Sequence, residues 1–461
     1  MVVGGETLGA PVTSETSWYE PRPNGVVTLE GPRRVAPWAP PRARRRLAEL
    51  EARLAGQDAD QVVRTVTGAL AGHRRAFDED GIVLYAGTNT MSPRALAAHD
   101  AAVSGRPSMG WPGDKYQTGL DHLDVLETLA PLQVAALMEG EFAEVRLQSA
   151  TLANLACYTA FARPGDTIAV LPEAAGGHAS HHAQGVAGVR GLRVADLPYD
   201  AAAFSIDHAR LPGFLERERP ALVVIGASLM LFPHDVAAVR AACDEVGATL
   251  VYDASHVAGL IAGRRFQRPL EEGAHVLTMS TYKSFGGPPG AAIVTRDEAL
   301  AERVSAAAYP GLTANYDAAR LAPLAVTAAE LAETGPDYAD ACVANASALA
   351  AALQEAGFAV VAADRGWTAS HHVAVDASDL GGGDAAARTL AEGGVYLSGI
   401  GLPGRAEPLP GLRIGTQEIT RRGFTPPLMC DLAALMRRLL LDHEPPADVR
   451  PATTTLRHSL P

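Results

Sequence analysis

From about Leu120 onward, short β-rich runs alternate with helical stretches, and this alternation restricts the possible folds more than any other feature of the chain. Helical periodicity covers 121–138 and 151–163. It is followed by the run TIAVL, the run ALVVIGAS, the helical stretch DVAAVRAACDEVG, and the runs TLVYDAS, HVLTMST and AAIVT. Such a pattern predicts an α/β fold with a mostly parallel sheet flanked by helices. In that class ligands bind at the carboxyl ends of the strands, and Asp253 follows TLVY as Lys283 follows HVLTMST. After about residue 330 come the helix ANASALAAALQEAG, the strands FAVVAA and HHVAVDA, the helix GDAAARTLAEGG, the strand LRIGT and a last helix near 427–441. This second group reads as a smaller C-terminal α+β domain.

The expected organisation is therefore an N-terminal extension over 1–70, a large domain over 71–330 and a small domain over 331–461. Residues 1 to about 45 are rich in Pro and Gly and lack apolar periodicity, which predicts an extended, partly disordered arm. The basic run RARRR leads into LAELEARLAG and reads as a solvated helix start.

Composition narrows the function. The chain has 461 residues, 48% of them hydrophobic, enough for a large core. Its 39 Lys and Arg against 52 Asp and Glu leave a formal charge of -13, which opposes nucleic acid and anionic membrane surfaces as partners. Cys157, Cys243, Cys342 and Cys430 are far apart without a CxxC pair, so neither a zinc site nor a disulfide framework is expected. Nowhere are there ~18 consecutive apolar residues, and the N-terminus lacks a basic start followed by an apolar run. A cytoplasmic enzyme with reduced thiols is the expectation.

Lysine is rarely buried, so Lys283 at the end of a core strand needs a partner or a task. A strand-end carboxylate and a strand-end lysine thirty positions apart are what a pyridoxal phosphate enzyme requires, the lysine to bond the aldehyde and the carboxylate to keep the pyridine nitrogen protonated. Structural Asp and Lys at strand ends are common, so this pair alone leaves a purely structural role open.

The surrounding words are more specific. VYDASHVAGLIAG, STYKSFGGPPGAAIV and GLRIGTQEITRRGF, with TNTMSP, GWPGDKY, LQSATLANLACYTAFARPGDTI, GGHASHH and NASALA, resemble the serine hydroxymethyltransferase family of fold-type I pyridoxal phosphate enzymes. The resemblance runs from about residue 88 to the final helix. It implies that Lys283 bonds the cofactor, Asp253 partners the pyridine nitrogen, His256 lies beside the cofactor and His178 stacks on its ring. Ser149, Ala150 and Thr151 match the phosphate loop at a helix start, where free N–H groups favour an anion. Ser228 matches a hydroxyl near the phenolic oxygen, and Tyr282 stands where the family has a histidine. Arg413 matches the arginine that grips the substrate's α-carboxylate. Thr88 and Asn89 fall at substrate-binding positions, and Ala314 and Asn315 at the loop that reaches a neighbouring subunit's phosphate. A homodimer or larger assembly follows from the same resemblance. His178, His181 and His182 could also suggest a metal, but no Cys or carboxylate cluster lies nearby in sequence, and none is expected.

Some positions depart from the family pattern. In PSMGWPG, Pro107 replaces the family's first tyrosine and Met109 the glutamate that handles protons in folate-linked one-carbon transfer, a task a thioether cannot perform. Gln117 replaces a tyrosine and Pro289 an arginine. The set points to a divergent, folate-independent member acting at Cα and Cβ of glycine, serine, threonine or another β-hydroxy-α-amino acid, as an aldolase or transaldolase. Two other activities remain open on the same fold: an O2-using amino-acid oxidase or decarboxylase, and an ordinary folate-dependent serine hydroxymethyltransferase. A scaffold that has lost activity is the non-enzymatic alternative.

Overall fold

The computed structural model describes residues 35–405 and 409–460. The chain divides into two units, Met1–Arg74 and Arg75–Pro461. In the first, the expected arm is helical over α1 (Pro41–Leu54) and α2 (Ala59–Arg74), while the disorder expected over 1–34 lies outside the described residues. Proline at the first position of α1 costs nothing, because that N–H would have no helical partner. Ahead of α2, Asp58 and Gln61 cap each other, the Gln61 amide donating to Asp58 Oδ1 and the Asp58 amide to Gln61 Oε1, both at 2.8 Å.

In the second unit, a seven-stranded sheet is built from β1 (Phe142–Glu144), β2 (Thr167–Val170), β3 (Arg193–Asp196), β4 (Leu222–Ile225), β5 (Thr249–Asp253), β6 (Val276–Ser280) and β7 (Ala291–Thr295). Its order is β1-β7-β6-β5-β4-β2-β3, parallel from β6 through β3 and antiparallel where β7 joins β6 and β1. Strands β2, β4, β6 and β7 are buried along their whole length, which is why they read as continuous apolar runs rather than alternating ones. Helices α3 (Asp121–Leu137), α4 (Ala150–Phe161) and α5 (Val236–Val246) belong to this part of the fold.

Helix α6 (Leu321–Glu355) runs for 35 residues. The sequence predicts only its last part, ANASALAAALQEAG, and Gly335 and Pro336 ahead of it disfavour a helix. Gly335 instead meets the Gly263 backbone, and the helix continues through both residues. The expected boundary at 330 falls inside this helix. Its first half packs in one core through Leu321, Leu324 and Leu331, its second half in another through Leu349 and Leu353. The second core also contains residues of α7 (Gly383–Glu392), α8 (Met429–Leu440), β8 (His372–Asp376) and β10 (Gly411–Gly415), and β8 and β10 form a three-stranded antiparallel sheet with β9 (Ser398–Ile400), ordered β8-β10-β9. The expected strand FAVVAA does not form. Val360 makes an isolated bridge to Val375, and then Ala362 takes a φ of 57° and turns the chain into a short 3-10 segment.

Candidate active site

Strand β6 ends at Ser280, and the chain turns so that Lys283 points back into the interior at 9% exposure. The Gly/Pro stretch folds beneath it: Thr281 Oγ1 donates to Pro288 O at 2.6 Å, the Gly287 amide to Thr281 O at 2.7 Å, and Gly286 adopts a φ of 71°, which suits glycine. Lys283 Nζ lies 3.1 Å from His256 Nε2. His256 Nδ1 is 3.2 Å from the Ala86 carbonyl, which can only accept, so Nδ1 carries the proton and the Nε2 lone pair faces the amine. Burial, reinforced by Lys283 and Arg413, pushes the His256 pKa well below its usual value. Burial also lowers Lys283 to about 8, with Asp253 pulling upward and Arg413 downward.

Asp253 closes β5, level with Thr278 of β6. Its Oδ2 accepts from Asn154 Nδ2 at 3.0 Å and His181 Nε2 at 3.1 Å, and its Oδ1 from the Ser255 amide at 2.9 Å. Burial pushes its pKa upward, but the His181 and Ser255 hydrogen bonds outweigh that effect and hold it well below the usual carboxylate range. Behind it, Tyr158 Oη donates to His181 Nδ1 at 2.5 Å, and Thr278 Oγ1 to Asn154 Oδ1 at 2.9 Å. The carboxylate therefore has a closed second ring of partners. Sequence reasoning weighed His181 only as a metal ligand and passed over Asn154. The spacing of His181 from His178 and of Asn154 inside ATLANL was the available signal.

Both groups open on a cavity of about 60 Å³. Ser149, Ala150, Thr151, His178, Ser228, Asp253, His256, Tyr282 and Lys283, all singled out from the sequence, line it together, joined by Asn154, Gly226 and Ser255. Ser149 caps α4 by accepting from the Leu152 amide at 3.3 Å, which leaves the first-turn amides facing the same space. His178 Nδ1 is 2.8 Å from Ser180 Oγ, and burial lowers its pKa to about 4, so the ring is neutral. His181 and His182 turn to different partners, Asp253 and the Leu171 carbonyl, and the three imidazoles do not converge.

Arg413 stands in β10, paired with Ala374 of β8 and Ser398 of β9. Its Nη1 donates to the Ser228 carbonyl at 2.8 Å, which places the guanidinium beside the cavity, while its buried Nε has no partner. Thr88 and Asn89 do not line the cavity: Thr88 Oγ1 donates to Glu418 Oε2 at 2.9 Å and Asn89 Nδ2 to Tyr338 Oη at 2.9 Å. Ala314 and Asn315 are exposed and also lie off the cavity wall. In the 107–117 loop, Gln117 Oε1 accepts from the Met109 amide at 3.0 Å, so the two departures from the family pattern hold one another.

A sequence model of serine hydroxymethyltransferase matches residues 60–436. The chain belongs to the serine hydroxymethyltransferase family. It is 45% identical over 408 residues to an alpha-methylserine aldolase of Variovorax paradoxus, covering 88% of this chain and 92% of that one. It is 41% identical over 408 residues to a serine hydroxymethyltransferase of Korarchaeum cryptofilum, covering 85% and 94%. The crystal structure of L-threonine transaldolase from Pseudomonas fluorescens in its internal aldimine state superposes with a TM-score of 0.81 at 25% identity, covering 90% of this chain and 94% of that one.

As a member of this family the chain is a pyridoxal phosphate-dependent enzyme of fold type I. The cavity's chemistry fits that cofactor. It offers a buried amine of lowered pKa for an aldehyde, a carboxylate kept ionised for a pyridine nitrogen, and a helix N-terminus with hydroxyls for a phosphate. Among the described residues, no helix is long and apolar enough to cross a membrane.

Proposed function

We propose that the chain is a folate-independent aldolase or transaldolase that breaks or forms the Cα–Cβ bond of a β-hydroxy-α-amino acid. The observation that supports this most directly is the Lys283 amine facing a neutral His256 nitrogen in one cavity with the ionised Asp253. When bound, pyridoxal phosphate supplies an electron sink for the pair left on Cα. Lys283 Nζ would hold the cofactor through its aldehyde carbon, and His256 Nε2 is placed to take a proton from or return it to that nitrogen. Asp253 would hold the proton on the ring nitrogen, with His181 and Asn154 keeping its Oδ2 in place. His178 would lie against the ring, Ser149, Ala150 and Thr151 would receive the phosphate, and Ser228 and Tyr282 would border the phenolic side.

Arg413 takes the α-carboxylate. Its fork is fixed by Ser228 O, and its unpaired Nε leaves a donor for an incoming anion. Thr88 and Asn89 act by anchoring the neighbouring segment. Met109 and Gln117 offer no group that can relay a proton as a carboxylic acid does, which supports independence from folate. The names of the relatives agree with aldol chemistry and suggest α-methylserine as a substrate to test.

We propose further that the enzyme works in the cytoplasm as a homodimer or larger assembly, with Ala314 and Asn315 reaching the partner's phosphate site. The large and small domains divide near residue 330, at α6. Exposed Val125, Leu129 and Leu132 on one face of α3, beside exposed Trp111, support association. The deciding assay follows formaldehyde release from α-methylserine and serine, with and without tetrahydrofolate and with oxygen monitored. Formaldehyde should appear without folate and without oxygen uptake. Strict dependence on tetrahydrofolate would restore ordinary hydroxymethyl transfer, and stoichiometric oxygen consumption would make the enzyme an oxidase.

A further inference from the structure

The segment from Leu84 to Asn89 crosses in front of Arg413, and its hydrogen bonds fix which side chain faces the site. The Gly415 amide donates to Leu84 O at 2.8 Å, Gln417 Nε2 to Tyr85 O at 2.9 Å and Thr88 O at 2.7 Å, and His256 Nδ1 to Ala86 O at 3.2 Å. Leu84 and Ala86 are fully buried, whereas Tyr85 between them is 36% exposed. A turn at Ala86 and Gly87, closed by the Thr88 amide donating to Tyr85 O at 3.2 Å, leaves the phenol standing out from the packed wall.

It stands over the carboxylate candidate. The guanidinium carbon of Arg413 lies 5.8 Å from the centre of the Tyr85 ring, within cation–π range. Arg413 is held from behind by Ser228 O at 2.8 Å and Ser398 Oγ at 3.4 Å, and its buried Nε is unpaired. The ring position depends on Gly87. A Cβ there would lie 2.8 Å from Tyr85 Cε1, 3.2 Å from Cζ and 3.4 Å from Oη, so any other residue would push the phenol away.

We infer that Tyr85 is a further substrate-binding residue, its hydroxyl donating to the same α-carboxylate that Arg413 holds, with Gly87 leaving room for the ring. The inference rests on the reading of Arg413 as the carboxylate site. A carboxylate accepts at about four positions and a guanidinium fork fills two of them. A phenol beside the guanidinium supplies a third donor.

The test titrates the holoenzyme with glycine and with methylamine, which is glycine without its carboxylate, and follows the visible spectrum. Tyr85→Phe keeps the ring and removes the donor. It should raise the glycine dissociation constant about tenfold, the effect of one hydrogen bond to a charged group, and leave methylamine unchanged. Gly87→Ala should weaken glycine similarly in the native background and add little in Tyr85→Phe. Glycine affinity within about twofold of native in Tyr85→Phe, with Arg413→Lys clearly weakened, would overturn this inference alone. Equal weakening of methylamine would overturn it as well, by making the role steric. Unchanged glycine affinity in Arg413→Lys would remove the carboxylate reading beneath it.

Discussion

Two hollows of this protein differ in the opposite sense from what size suggests. The larger, about 440 Å³, lies along the sheet edge between Trp111, Glu127, Leu132, Phe142, Arg146 and Tyr316. Its buried charged groups are matched, while Glu141, Glu298 and Glu302 also line it. Arg146 pairs with Glu144 at 2.6 Å and sits over the Trp111 ring, while Glu127 accepts from Ser108 and Tyr316 at 2.6 Å each and pairs with Lys115. The smaller, about 60 Å³, brings together an amine of lowered pKa, a neutral imidazole and a buried carboxylate, with a guanidinium alongside. Volume marks surface left uncovered. Convergent ionisable groups that burial has shifted mark chemistry.

The contrast can be broken most severely at Lys283. Lys283→Ala should abolish turnover and the cofactor's covalent attachment, read as loss of visible absorbance and of a borohydride-stable adduct. Retention of both would move the chemistry out of the small cavity. Asp253→Asn should come next, with activity down by at least about 100-fold, because a ring nitrogen without an anionic partner gives up its proton. Normal turnover in that variant would remove its role.

Arg413→Lys should act on affinity more than on rate, weakening amino-acid binding about tenfold or more through loss of the planar fork. A fall in kcat at unchanged KM would instead tie Arg413 to the chemical step. The pH dependence of the apoprotein is a smaller effect. Lys283 titrates near 8 when folded against an ordinary value of 10.5, so the native state binds fewer protons than the unfolded chain between those limits. Stability should rise with pH across that window, and the rise should be missing in Lys283→Met. The same slope in both proteins, measured by urea denaturation, would assign it to other groups. Least of all should the large cleft matter for chemistry: Leu132→Ser should leave kcat of the assembled enzyme within about twofold and shift sedimentation toward smaller species. Lost kcat with assembly intact would give that cleft a part in the reaction.

The sequence by itself determined the parallel sheet, because strands buried on both faces leave mostly apolar runs such as TIAV and LVVI whatever surrounds them. It also determined the positions of Asp253, the last residue of β5, and Lys283, just past the end of β6, since a strand's end falls at the carboxyl edge of the sheet. Ser149 was legible for the same reason, as a hydroxyl directly ahead of a helical run. The tertiary structure decided whatever depends on contacts distant in sequence. His181 became the partner of Asp253, 72 positions away, and His256 took its tautomer from the carbonyl of Ala86, 170 positions away. Helix α6 passed through Gly335 and Pro336 because tight packing on Gly263 outweighs local propensity. Tyr85 met Arg413 across more than 300 positions, where no local period of two or 3.6 could register the pair, and only the crossing of one segment over another strand brings phenol and guanidinium together.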